Sequence, residues 1–136
     1  MAVITADVPV PQQMDKFWPS SSNKTALQHL TRVIAAQQDL QIPIILSGSV
    51  VDEEVVPAVL ICPRRSSNES SLPQNIDALT GTVEEADDRL LLHCAWEVTR
   101  GCDRLLVISN DTDTVVRLLH FIHEWRDHGL KELWVE

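Results

Sequence analysis

The chain has 136 residues, 44% of them apolar, and a formal net charge of −9. That length fits one domain with a buried core and excludes wholesale disorder, and no run of about 18 apolar residues is present to span a membrane as a helix. The acidic balance works against unaided nucleic-acid binding, because phosphate contacts supply most of the non-specific affinity.

Residues 1–20 carry Pro9, Pro11 and Pro19 around short apolar pieces and read as an extended arm that docks Phe17 and Trp18 on the core. This opening lacks the basic start and long apolar stretch of a secretion signal. With it go three cysteines, Cys62, Cys94 and Cys102, an odd number without a disulfide framework. Together they predict an intracellular chain, cytoplasmic or nuclear, in a reducing compartment. Serines 20–22 offer capping hydroxyls for a helix over 23–38, with Leu27, Leu30, Thr31 and Ile34 on one face. The β-branched run 41–47 predicts a strand. A second strand over 55–62 is broken by Pro57, which places it at an edge or a bulge. These two strands are expected to form a hairpin or to lie side by side.

The polar, serine-rich stretch 63–79 reads as a flexible loop. It holds the only basic cluster, Arg64 and Arg65, and is the natural place for a partner. Residues 82–136 then alternate helix, strand, helix, strand. The helix over 83–99 closes at Arg100 and Gly101, and the fully apolar strand over 105–108 has the pattern of a sheet covered on both faces. A helix over 112–128 ends at Gly129, and a last strand runs over 130–136. Strand, helix, strand at this spacing is a parallel, right-handed βαβ unit. The whole is expected to be a single three-layer α/β domain with a mainly parallel sheet.

The acidic residues fall in two groups. Glu84, Glu85, Asp87 and Asp88 open one helix, and Asp111 and Asp113 follow the apolar strand. In an open α/β sheet, ligands sit outside the carboxyl ends of the strands. Carboxylates converging there repel one another unless a divalent cation intervenes, and hard oxygen ligands suit Mg²⁺ or Mn²⁺. Each acid also has a structural reading. Thr82 and Glu85 fit a capping box, Asp111 fits an N-cap, and acids in a first turn are stabilised by the helix dipole.

The sequence EEADDRLLLHCAWEVTRG…LLVISNDTDTVV resembles the internal region of the PIN-like nucleases, in their flap-endonuclease and XPG-like branch. There an E-A-[ED] helix start is followed by a strand ending in D-x-D. The resemblance implies that Glu85 and Asp87 match the helix pair, and Asp111 and Asp113 the strand-end pair. It implies a metal-dependent phosphodiester hydrolase with these four residues as metal ligands, Mg²⁺ or Mn²⁺ as cofactor and nucleic acid as partner. Nearly the whole chain is also similar to fragments of uncharacterised invertebrate proteins found beside mobile elements, through 9–27, 45–87, 109–113 and 129–135. The nuclease fold takes its first aspartate from an opening strand, for which only Asp7 is available here, and it carries basic elements this chain lacks. The expectation is therefore a partial PIN-like domain, truncated at both ends, in which the nuclease activity is either retained or lost. In the second case it is a non-catalytic remnant or interaction module that can oligomerise.

The remaining constellations point elsewhere. His120, His123 and His128 have no ligand set completed by spacing and read as surface or boundary residues. Cys94 and Cys102 read as buried small hydrophobes, and Trp96, Trp125 and Trp134 as core or boundary aromatics. Lys24, Arg89 and Arg117 could contact phosphates but read equally as solvated charges. NDTDT also resembles the DxDxT motif of HAD-like phosphatases, although that motif opens its fold and here it lies near the end.

Overall fold

A computed structural model describes residues 13–51, 54–63, 73–80 and 86–136. It is a mixture of helix and strand, as an α/β reading requires. By its contacts the chain divides into two compact units, Met1–Thr82 and Val83–Glu136.

In the first unit, α1 (Met14–Phe17) and α2 (Ser21–Gln37) precede five short strands. The expected extended arm is therefore corrected over 13–20. One turn of helix forms there, and Phe17 meets Trp18 edge-on at 5.2 Å while Trp18 stays exposed. Helix α2 starts where Ser20 accepts a hydrogen bond from the backbone NH of Asn23 at 3.3 Å. Its packing face differs from the expected one. Thr31 and Ile34 are exposed, and the polar side chains of Gln28 and Arg32 reach across instead. Both donate to the carbonyl of Ser47, and Arg32 also donates to that of Pro57 at 2.7 Å.

The strands β1 (Ile44–Leu46), β2 (Ser49–Val51), β3 (Glu54–Val56) and β4 (Ala58–Ile61) make one long antiparallel hairpin. Its outer half pairs β2 with β3 and its inner half pairs β1 with β4. The break falls at Gly48 on one strand and Pro57 on the other. A Cβ at Gly48 would stand 2.7 Å from the carbonyl oxygen of Val56 and 3.0 Å from the nitrogen of Ala58. Glycine permits that close approach, and proline removes a ladder donor where the pairing is interrupted. The hairpin expected from the sequence is thus present, its ladder broken at its proline.

The expected loop over 63–79 gives way at Gln74. Residues Gln74–Ile76 form β5 on the outer side of β4, and a 3-10 turn follows over Asp77–Leu79. Leu79 is buried, as are Ala58, Val59 and Ile61 of this unit. Thr80 fastens the turn, donating to the carbonyl of Ile76 and accepting from the NH of Ala58. Arg64 and Arg65 lie outside the described residues.

The second unit contains α3 (Ala86–Thr99), β6 (Arg104–Val107), α4 (Thr112–Asp127) and β7 (Glu132–Val135). Strands β6 and β7 are parallel, with Arg104 opposite Glu132 and Leu106 opposite Trp134. Both helices end in glycines of positive φ, Gly101 at 92° and Gly129 at 103°. Each carries the paired backbone bonds of a Schellman cap, Cys102 to Glu97 with Gly101 to Val98, and Leu130 to Trp125 with Gly129 to Arg126. The core gathers Cys94, Val98, Val107, Leu118, Trp125 and Leu130, with Leu105, Phe121 and Leu133 packed against it.

Two expectations change here. Among the described strands, parallel pairing is confined to β6 and β7, whereas β1, β4 and β5, and β2 with β3, are antiparallel. The apolar run 105–108 is not covered on both faces either: Leu105 and Val107 turn into the core while Leu106 and Ile108 are 61% and 74% exposed. Trp134, expected in the core or at its boundary, is 63% exposed on the same side as Leu106.

Candidate functional site

Strand β6 stops after Val107, and the chain turns through Ser109, Asn110 and Asp111 into α4. Asp111 sits in extended backbone as the N-cap, accepting from the NH of Asp113 at 2.9 Å. The hydroxyl oxygen of Ser109 accepts from the NH of Asp111 at 3.2 Å and its proton is directed to Thr114 Oγ1, also at 3.2 Å. Thr114 is 1% exposed and donates to Asp87 Oδ1 at 2.9 Å. A hydrogen-bonded chain therefore runs from the end of β6, through the first turn of α4, to the first turn of α3.

This chain sets the place of the acids singled out in the sequence. Asp87 is tied by Thr114 to the first turn of α4, where Asp113 also lies and which Asp111 caps. Glu85, with Glu84 and the Thr82 capping box, lies outside the described residues, as does Asp7. The bonds described engage one oxygen each of Asp87 and Asp111, while Asp113 contributes its backbone NH. Asp88, one residue on, turns to Arg117 of α4 and pairs with it, so Arg117 is engaged in an ion pair between the helices.

Carboxylates and hydroxyls at this lip, where β6 gives way to α4, are of the hard type that Mg²⁺ or Mn²⁺ prefers. Their arrangement falls short: among the described residues, Asp87, Asp111 and Asp113 included, no three His, Cys, Asp or Glu side chains are grouped so that they could hold a metal ion. The described residues alone therefore do not constitute a metal site. The two hydroxyls, Ser109 and Thr114, were passed over in the sequence. Their signal was the spacing in SNDTDT, where a serine and a threonine flank the aspartates and can bond across the turn.

A second concavity opens between α3 and α4, a groove of about 500 Å³. Leu91, Leu92, Ala95, Phe121 and Trp125 form its apolar part, with Phe121 stacked on Trp125 at 5.9 Å, and Asp88, Arg117 and Glu124 edge it. The lip acids do not line it.

The other chemically active side chains are structurally engaged or exposed. His120, His123 and His128 are all exposed, with His120 edge-on to Phe121 at 4.9 Å. Burial pushes the Cys94 thiol up to about 11, with Cys102 and Glu97 adding to the effect, so it is an inert packing residue. Cys102 is half-buried rather than enclosed, with its sulfur 3.0 Å from the carbonyl oxygen of Arg104. Trp96 carries the guanidinium of Arg100 over its ring at 4.5 Å. Among the described residues no helix is long and apolar enough to cross a membrane.

Compared with protein families, with curated proteins and with solved structures, the chain finds no match.

Proposed function

We propose that the lip at the end of β6 is the acidic edge of a PIN-like domain whose activity is divalent-metal-dependent phosphodiester hydrolysis. The observation that supports this reading is the hydrogen-bonded chain Ser109–Thr114–Asp87, which ties the first turn of α3 to the first turn of α4. Mg²⁺ or Mn²⁺ would be held by Asp87, Asp111 and Asp113 with Glu85, whose place in the sequence is one residue before α3. The cation would neutralise acids that otherwise repel one another. The substrate would be nucleic acid, and the finer architecture that of a three-layer domain.

A non-catalytic module of the same fold is the competing reading, and a specific observation favours it. Asp111 caps α4, Asp87 receives Thr114 and Asp88 pairs with Arg117, so each serves the fold in its own right.

Isothermal titration with Mn²⁺ separates them. Asparagine caps a helix nearly as well as aspartate, so Asp111→Asn with Asp113→Asn keeps the fold while removing two charges. The intact chain is expected to bind Mn²⁺, and the double variant and Glu85→Gln to lose at least about tenfold in affinity, a change of about 1.4 kcal/mol. Cleavage of flap or single-stranded DNA with Mn²⁺ present would establish the enzyme. Binding without cleavage supports the non-catalytic module, and equal binding by all variants ends the metal reading at this lip.

A further inference from the structure

The outer face of the β6–β7 ribbon has no part in the acidic lip. Residues alternate across it in three rows. Arg104 stands beside Glu132, Leu106 beside Trp134, and Ile108 and Glu136 follow at the end. The central row and Ile108 are apolar and between 61% and 74% exposed. Parallel strands are normally covered on both faces, and the core of this unit covers only one. The polar edge of Trp134 is already satisfied, because its indole NH donates to Glu132 Oε2 at 3.3 Å. What it offers outward is an apolar plate. Arg104 Nε lies 3.7 Å from the same carboxylate oxygen, with both side chains largely in solvent.

We propose that this face is a self-association surface, on which a second copy of the chain packs about a two-fold axis running along the strands. The argument rests on the order of the rows. Such an axis lays β6 of one copy over β7 of the other without displacing them lengthwise. Arg104 then faces Glu132 of the second copy, Leu106 faces Trp134, and at the end Ile108 faces Glu136. In the first two rows opposite charge meets opposite charge and apolar meets apolar, in the same contact made twice, as an isologous interface requires. An axis across the strands would instead lay β7 on β7, with Glu132 over Glu136, and is disfavoured by like charge. Sheets so packed stand about 10 Å apart, a distance that the Trp134 and Leu106 side chains fill. The patch is smaller than the roughly 800 Å² per partner of a standard interface, so the dimer dissociates on dilution.

Sedimentation equilibrium of the full chain, from low to high micromolar concentration, tests the proposal. The expected result is a monomer that becomes a dimer, with Trp134→Glu remaining monomeric at all concentrations and keeping the circular dichroism of the parent. Arg104→Glu should lower the association constant at least about tenfold. Combining it with Glu132→Arg should restore the constant, because the row is exchanged but still complementary. Three results overturn the proposal: a parent chain that stays monomeric throughout, a dimer untouched by Trp134→Glu, or an exchanged pair no better than Arg104→Glu alone. The second would move the contact to the strand edges or another face.

Discussion

Thr114 has one hydroxyl and uses it twice, accepting from Ser109 and donating to Asp87. Because it is buried at 1% exposure, its removal cannot be compensated by water as a surface loss would be. Thr114→Val keeps the shape and deletes the hydroxyl. The expected loss is about 1–3 kcal/mol, since two polar partners are left without their bond. Urea unfolding of the variant beside the parent measures it. A difference within about 0.5 kcal/mol would mean the bond chain does not hold the two helix starts together. At this scale the sequence was partly legible. The sequence marked Asp87 beside Glu85 and Asp113 beside Asp111 as two acid pairs, and the structure ties Asp87 to the first turn of α4 through Thr114. Thr114 itself was hidden, because a threonine in a first turn reads as a weak helix former and not as a bridge to another helix.

Gly48 and Pro57 together make one element of what looks like four. The ladder pairs Leu46 with Val59 on one side of the break and Ser49 with Val56 on the other. Between them the backbone at Gly48 approaches Val56 and Ala58 too closely for any side chain. Gly48→Ala is expected to destabilise the fold by about 1–3 kcal/mol, the usual range for forced overpacking, because the obstructing atoms are backbone and cannot rotate away. Gly129→Ala, with no atom near its missing Cβ, should lose only the about 1 kcal/mol of a non-glycine forced to positive φ. Chemical denaturation of both variants tests the order. If Gly129→Ala proved the more damaging, the close approach at the ladder break would be wrong.

Helices α2, α3 and α4 were visible in the sequence because their ends are marked by Ser20, Asp111, Gly101 and Gly129, each with a distinct physical task, whereas α1 was read as extended. The proline break was visible for the same reason. Strand β5 was not, since Gln74 and Asn75 carry no strand preference and its stability comes from pairing with β4. The outer face of β6 was misread for a different cause. A continuous apolar run signals two covered faces, and only the alternation of Leu105 and Val107 inward with Leu106 and Ile108 outward reveals that one face is open.

For the whole molecule, acidity exerts two opposing effects. The chain's charge of −9 approaches zero as pH falls toward the isoelectric point near 4.9, which relieves self-repulsion and favours the compact state. His93 works the other way. Burial holds its imidazole below the ordinary histidine range, with Arg89 adding to the effect, and its Nε2 is enclosed without a hydrogen-bond partner among the described residues. A histidine depressed in the folded state is neutral there while its unfolded counterpart still takes up a proton. Its contribution is therefore complete above the unfolded value of about 6.5 and declines as pH falls through that value toward the lower folded one. Carboxylates titrate mostly below this window, so thermal unfolding between pH 7.5 and pH 5.5 exposes the histidine. Replacing His93 with leucine removes both the titration and the unpaired nitrogen. The parent is expected to lose unfolding temperature relative to His93→Leu as pH falls across that range, whatever the sign of the common trend set by net charge. Two curves that stay parallel would show that His93 is protonated as easily folded as unfolded, and that its enclosure is not felt by the proton.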